Sequence, residues 1–452
     1  MNGETLYREA FRPQFHFTPK QDWMNDPNGL VHFQGEYHLF FQHTPGSLKH
    51  GPNTWGHAVS TDLVHWTQLH HAALDIDDMG WIWSGSAVVD WRNSAGFQMG
   101  DEPPLVAFYT VGDTRIKPEK PCTQCIAFSN DRGRTWTKYG GNPVLGHIQA
   151  CNRDPKVVWH EPSNRWIMVL FLDANDYTLY ASHDLKTWTH LHDLTLPGVS
   201  ECPDLFELPV DGNASNKRWV FWGGNGGYLV GHFDGSVFLS ETDVLRAESG
   251  TNGYAAQTWS DIPSEDGRRI QISWMAGGQY PNMPFNQQMS FPVELALRST
   301  PDGVRLSRKP VREISFLHRN TRTWQDHHVR ARERCVLAET GDLFDVRLEI
   351  DNAGSATFDL TVQGHPLTYD GPNRTLDCLG KSIALPLTAG RLALRLLIDR
   401  TSLEVFADDG IVSMSFCFLP QEAAAPLVLR AGSQDLHLRA LTVNCLDSSW
   451  TE

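Results

Sequence analysis

Three acidic junctions in this sequence carry the residue types of glycosidic chemistry: Asp26 in WMNDPNG, Asp154 in NRDPKVVW, and Glu201 with Asp204 in SECPDLFEL. Each acid stands next to a proline or one residue from it, at the edge of an apolar run. Asn, Asp, Pro and Gly interrupt helices and interior strands, so these acids are predicted to lie in turns or at frayed strand ends. One Asp-Pro turn is ordinary surface chemistry. Three such junctions on strands of one framework suggest a shared task. Two facing carboxylates are the minimum needed to cleave a glycosidic bond. One is protonated and donates to the leaving oxygen, and the other is ionised and attacks the anomeric carbon or stabilises its positive charge.

The neighbours of each acid suggest a division of labour. Glu201 has the longer reach and is followed by apolar Cys202 and Pro203, surroundings that raise a carboxyl pKa; it suits the acid/base. Asp26 follows Asn25 in a stretch whose free N–H groups can bond it in its charged form, so it suits the nucleophile. Asp154 has Arg153 beside it, a cation that helps keep an acid ionised, and suits a group that holds substrate hydroxyls and steadies an oxocarbenium-like state.

A framework that gathers such distant residues must bring many strand ends together. Strand signals dominate: LVHFQGEYHLFFQH reads as strand, turn at Gln34-Gly35 and strand, and RWVFWGGNGGYLVGHF repeats the design around a Gly-rich turn. No long segment holds a helical period. A fragment recurs as STDLVHWTQL from Ser60, SNDRGRTWTKY from Ser129 and SHDLKTWTHL from Ser182, with a weaker echo, SETDVLR, from Ser240. Each of the three clear copies places Ser, Asp two residues on, and Trp-Thr after a turn. Self-similarity at roughly 50 residues in a chain of strands is the mark of propeller blades, with Ser and Asp closing a turn and Trp packing between blades. Five blades fit residues 1–310. From Trp324 the pattern changes to short alternating strands, among them DLFDVRLEI, ATFDLTV, LALRLLID, SLEVFAD and VSMSFCF, which predict a β-sandwich over 324–452. Residues 311–323 are the expected linker. The fold class is therefore all-β, a five-bladed propeller followed by a sandwich.

Composition narrows the partners. With 38 Lys+Arg against 53 Asp+Glu, the 452-residue chain has a formal net charge of −15, which argues against nucleic acid or an anionic membrane as a partner. The 16 Trp residues point to heavy cores or to faces that stack on sugar rings. No run approaches the length of a membrane span and the first 25 residues lack an apolar leader core. The expectation is a cytoplasmic protein if Met1 is the native start, and a secreted or periplasmic one if a leader has been removed. Eight scattered Cys mildly favour a reducing compartment. The close pair Cys122 and Cys125 has no second pair at zinc spacing, His70 and His71 read as a strand end, and no metal or other cofactor is expected.

WMNDPNG, RDP and ECPD, in this order, with FFQH, WGHAVSTDLVHW, WSGSAVVD, YAAQTW and MSFPVEL among them, resemble glycoside hydrolase family 32, the β-fructofuranosidases that include invertases, exo-inulinases and levanases. The match runs from about Phe15 to Leu295, and LLIDRTSLEVFADDG resembles the family's C-terminal sandwich. The resemblance implies metal-free, retaining release of terminal β-D-fructofuranosyl units from fructans, fructo-oligosaccharides or sucrose. It places the nucleophile on Asp26, the transition-state stabiliser on Asp154 and the acid/base on Glu201. It also implies a fructose pocket that includes Asn25, Gln42, Trp55, Trp83, Ser84 and Arg153, although Trp55 and Trp83 fit blade packing equally well. In two places the chain departs from the family pattern. His50 stands where many members carry a Trp, and GTNGYAAQTW lacks the Asp-Phe-Tyr that often precedes Ala-Ala-Gln. Competing readings are a fructosyltransferase working through the same fructosyl-enzyme, including types that release difructose anhydrides, and a non-catalytic sugar-binding propeller. Loss of an acid would mark the second, and all three acids are present. Linkage preference, chain-length preference and oligomeric state are not written in these motifs.

Overall fold

The computed structural model describes residues 6–69, 73–113, 118–385, 387 and 390–450, so the strand end expected at His70 and His71 lies outside the described residues. Five antiparallel blades succeed one another. Blade I is built from Asp22–Phe33, Glu36–Thr44, Thr54–Ser60 and Thr67–Gln68, and blade II from Trp81–Val89, Leu105–Asp113, Lys120–Ser129 and Thr137–Lys138. Blade III comprises Arg153–His160, Arg165–Asp173, Asp176–Ser182 and Thr189–Thr195. Blade IV begins with Asp204–Val210, Asn213–Trp222 and Gly227–Phe233, and blade V contains Gly253–Thr258, Arg269–Met275, Val293–Thr300 and Gly303–Pro310. The ring is fastened where Phe285–Asn286, from the end of the propeller sequence, pairs in parallel with Asp22 and Trp23 of blade I.

The recurring fragment is a strand-ending turn. Ser60, Ser129 and Ser182 close the third strands of blades I, II and III, and their hydroxyls donate to Asp62, Asp131 and Asp184 at 3.0, 2.7 and 3.1 Å. The following Trp66, Trp136 and Trp188 each donate the indole N–H to the carbonyl three residues back, at 3.1 to 3.2 Å. The weaker echo at Ser240 ends the short fourth strand Phe238–Ser240 instead, and its hydroxyl donates to the Thr242 carbonyl.

The sandwich has two six-stranded antiparallel sheets whose facing side chains form one continuous core that includes Phe344, Leu360, Leu394 and Phe416. The connection into it is shorter than 311–323. Residues Arg312–Leu317 form a 3-10 turn, and His318–Val329 is already a sandwich strand paired along Leu436–Leu446. The main propeller core runs on into the interface between the two units, joining Phe15, Phe291 and Ile314 to Leu397, Phe406 and Leu446. His16 pins the same interface: its ring nitrogens lie 2.9 Å from Asp399 and 2.8 Å from Glu404, all three fully or almost fully buried.

Candidate active site

All five innermost strands begin at one end of the propeller, and most of the candidate residues lie on or just before their first residues, Gln42 and Trp55 being on the second and third strands of blade I. Asp26 is in Asp22–Phe33, Trp83 and Ser84 in Trp81–Val89, Arg153 and Asp154 at the start of Arg153–His160, Glu201 just ahead of Asp204–Val210, and Tyr254 at the start of Gly253–Thr258. The expectation that Asp26 sits in a turn or at a frayed strand end is corrected here. WMNDPNGL lies inside a strand, and the register with Glu36–Thr44 slips between Met24 and Pro27 and again between Asn28 and Val31. Asp26 therefore falls in a bulge, which re-aims its side chain into the funnel. At Pro27 and Pro155 the innermost strands have a pairing neighbour on one side only, so proline is tolerated there. Blades II and V carry comparable slips, between Ile82 and Gly85 and between Tyr254 and Gln257.

The acids form one connected chain of contacts. Asp26 accepts the Ser84 hydroxyl at 2.5 Å and the Asn25 amide at 3.1 Å. The Cys202 sulfur lies 3.8 Å from Asp26 Oδ2 and 3.5 Å from Asp154 Oδ2, so a single thiol bridges the two carboxylates. Asp154 also accepts the Cys202 backbone N–H at 3.2 Å and has Arg153 Nε at 3.7 Å. The Arg153 guanidinium donates to Glu201 Oε1, and the Tyr254 hydroxyl donates to Glu201 Oε2 at 2.8 Å. Asp154, Glu201 and Cys202 all have positive φ, at 62°, 44° and 36°. Backbone strain of this sort gathers at working sites, where the surroundings over-determine it.

The charge states differ from the reading of neighbours alone. Burial raises the Asp26 pKa above the usual carboxylate value and outweighs the Ser84 and Asn25 hydrogen bonds, with Glu201 adding to the rise. Burial likewise pushes Asp154 up to about 7, in spite of Arg153, with Asp26 and Glu201 contributing. Arg153 is thus not enough to hold Asp154 in the ordinary range. Loss of water around the buried Asp154 carboxylate outweighs the attraction of Arg153, and the two neighbouring acids add to the rise. The Cys202 thiol is held protonated by burial and by the acids around it.

The expected pocket residues separate into two groups. Asn25, Ser84 and Arg153 bond the acids directly, and the Asn25 side-chain carbonyl accepts the Trp23 indole at 2.9 Å, while buried Gln42 donates to the Ile82 carbonyl at 3.2 Å, two residues before Ser84. Trp83 is half-buried at the rim, its indole N–H donated to the Gly112 carbonyl. Trp55 is different. It has no exposed surface, its N–H is spent on the Trp83 carbonyl at 2.9 Å, and its ring packs on Phe40 and Tyr109, so it is a blade-core residue and not a sugar platform. Its contribution is to support the backbone of Trp83.

Asp204, named beside Glu201, faces away from this group. It pairs with buried Lys156 at 3.2 Å and accepts the Thr258 N–H at 2.7 Å, tying the inner strands of blades III, IV and V. His50 occupies the rim, its ring 6.2 Å from Trp23 and 6.4 Å from Trp83, so the departure from the family pattern falls beside the candidate pocket. Sequence reasoning missed Tyr254, Cys202, Trp23 and Trp274, whose ring is 6.2 Å from Trp23 and 6.4 Å from Tyr254. The available signal was position for three of them: Cys202 and Trp23 lie one and three residues from a motif acid, and Tyr254 stands at the start of an inner strand, whereas Trp274, late in the second strand of blade V, carried no such signal. The altered run before Tyr254 has a steric reason. A Cβ on Gly253 would stand 2.7 Å from the Glu248 carboxyl carbon, so a larger residue does not fit without displacing Glu248. Among the described residues no cluster of three or more His, Cys, Asp or Glu is arranged to hold a metal.

Known proteins share this architecture along the whole chain. The family model described as glycosyl hydrolases family 32 N-terminal domain matches residues 16–310, and the family 32 C-terminal model matches 313–444. The chain is 41% identical to a levanase of Bacillus subtilis (strain 168) over 99% of its own length and 72% of that protein. It is 32% identical to an extracellular exo-inulinase of Aspergillus ficuum, covering 98% of this chain and 96% of that one. Its fold superposes on the β-fructofuranosidase of Schwanniomyces occidentalis, solved with fructosyl-erythritol, with a TM-score of 0.87 at 27% identity, covering 98% of this chain and 99% of that structure. With its propeller and its sandwich each matched by a family model, the chain belongs to glycosyl hydrolase family 32.

Proposed function

We propose that this glycosidase releases terminal β-D-fructofuranosyl units from fructans, fructo-oligosaccharides or sucrose with retention of configuration. The observation that carries the reading is the linked set of Asp26, Asp154 and Glu201 on three different blades, bridged by Cys202 and Arg153. Asp26 attacks the anomeric carbon as Glu201 protonates the leaving oxygen, giving a fructosyl-enzyme. Glu201 then takes a proton from water, which displaces Asp26. Asp154, within reach of both, binds sugar hydroxyls and offsets the positive charge of the oxocarbenium-like state. Arg153 and Tyr254 position the Glu201 carboxyl between them. Levan and inulin as polymer substrates are supported by the levanase and exo-inulinase relatives.

The test is product chromatography from sucrose, inulin and levan, with wild type and Glu201→Gln side by side. Wild type is expected to release free fructose. Glu201→Gln is expected to lose on the order of 10²- to 10⁴-fold in turnover, the usual range for a general acid, and less on a fructoside whose leaving group needs no proton. Oligomers or cyclic products would shift the reading to transfer. Equal, small losses in Glu201→Gln and Asp26→Asn would overturn the assignment of roles.

A further inference from the structure

Of the cysteines that the chemistry above does not use, two are neighbours. Cys122 lies on the third strand of blade II and Cys151 on the segment that enters the inner strand of blade III, yet their sulfurs are 2.9 Å apart. A disulfide needs about 2.05 Å between sulfurs, so the bond requires a closure of only ~1 Å. Both thiols are free, Cys122 buried and Cys151 partly exposed, so a small oxidant meets Cys151 first. The Cys122 S–H and the Arg153 guanidinium lower the Cys151 pKa, which favours the attacking thiolate. The Cys151 carbonyl accepts Arg153 Nη1 at 2.8 Å, and Arg153 in turn reaches Glu201. The segment that would be tethered is thus the one that delivers Arg153 and Asp154 to the site.

We infer that Cys122 and Cys151 form a redox-active dithiol which a low-molecular-weight disulfide converts to an intramolecular disulfide, fastening the Arg153–Asp154 segment to blade II. The Cys151 thiolate attacks one sulfur of the small disulfide and expels the first small thiolate, leaving a mixed disulfide. Cys122 then loses its proton and attacks the Cys151 sulfur, expelling the second. The two protein thiols are oxidised by two electrons, and the small disulfide is reduced to two thiols. Because the sulfurs move so little, the Cys151 carbonyl stays with Arg153. What changes is the freedom of the 139–152 connection to open, since a cross-link removes conformations from the opened chain.

The test uses the full chain incubated with oxidised glutathione or with dithiothreitol, then alkylated and mapped by peptide mass. The oxidised sample is expected to show a linked Cys122–Cys151 peptide, with those two thiols protected from alkylation. At a raised temperature the folded protein, followed by tryptophan fluorescence, is expected to survive at least threefold longer when oxidised. Cys151→Ser, at the more exposed position, is expected to give one half-life under both conditions, as is Cys122→Ala. Full alkylation of both cysteines after oxidation would overturn the proposal, as would a cross-linked protein whose half-life equals that of the reduced form. None of these readouts depends on the substrate assigned above.

Discussion

Asp154→Asn is expected to make the folded protein more stable above neutral pH while removing a carboxylate that turnover needs. Asp154 is buried, and burial, with help from Asp26 and Glu201 and against Arg153, carries its pKa to about 7 from an ordinary 3.8. A carboxyl raised in this way contributes its full share of stability below 3.8, where both folded and unfolded chains hold the proton. As pH rises, the unfolded chain releases its proton and the folded one does not, so stability is lost until the folded group ionises near 7. At 1.36 kcal/mol per pH unit, the gap corresponds to a ceiling of about 4 kcal/mol. Asparagine does not ionise and keeps an acceptor for the Cys202 N–H, and the attraction to Arg153 at 3.7 Å is already contained in the value of about 7. The gain should approach the ceiling of about 4 kcal/mol at pH 8 and fall to ~1 kcal/mol near pH 4.5. Urea unfolding of both proteins at several pH values between 4.5 and 8, followed by tryptophan fluorescence, measures it. A gap that does not change with pH, or a variant less stable than wild type at pH 8, would refute the electrostatic account of the funnel.

Three further outcomes are expected. His16→Gln should cost about 3–5 kcal/mol at pH 7, because it leaves Asp399 and Glu404 buried without their shared cation. The His16 pKa is raised to about 9, so its contribution is complete below 6.5 and disappears as pH rises through 9; unfolding curves at pH 7 and 9.5 should show the gap narrowing. Tyr254→Phe removes the 2.8 Å donor to Glu201 and should lower kcat/KM on sucrose by roughly tenfold, with a smaller loss on an activated fructoside; equal losses on both would show that the hydroxyl does not serve the acid. His50→Trp should lower KM for a trisaccharide fructan by about 3- to 10-fold with little change in kcat, from added ring contact beside Trp23 and Trp83; unchanged KM would place that rim outside the binding path.

The blades were legible because their turn is local chemistry: Ser, Asp and Trp within a few residues close the same hydrogen bonds at Ser60, Ser129 and Ser182. The acids were legible because proline and asparagine next to them conflict with an interior strand. The form of that conflict was not. A bulge is a property of two strands in register, and nothing in WMNDPNGL states which residues of Glu36–Thr44 will face it. The same holds for the connection to the sandwich, where HRNTRTW carries too many polar residues to read as a strand but pairs along Leu436–Leu446 at the exposed edge of a sheet. Trp55 and Trp83 are alike in sequence, yet one is fully buried and the other half-buried, because burial depends on which blade covers each ring. The proton on Asp154 depends first on burial and then on Asp26 and Glu201, more than forty residues away in either direction, and no reading of its immediate neighbour Arg153 could supply it.

The sandwich has a reason to be present beyond its own core. Its strand Val412–Cys417 holds the segment that leads to Tyr254: Glu248 accepts the Ser415 N–H at 2.8 Å and the Ser415 hydroxyl at 3.0 Å, and the Asn252 carbonyl accepts the Cys417 N–H at 2.8 Å. Gly250 passes so close to Ser415 that a Cβ would stand 2.3 Å from its nitrogen, so side-chain-free backbone is required for the two units to meet there. Arg308, buried in blade V, closes the clasp by donating to Glu248 at 2.9 Å and to the Ser413 hydroxyl at 2.7 Å. Two residues after Asn252 the chain delivers the Tyr254 hydroxyl to Glu201. A hydroxyl placed on the first residues of an edge strand would otherwise swing with the loop before it. Anchoring that loop to a second domain converts a flexible approach into a fixed one, and the orientation of the Glu201 carboxyl is therefore set in part by a strand that begins more than two hundred residues later in the sequence.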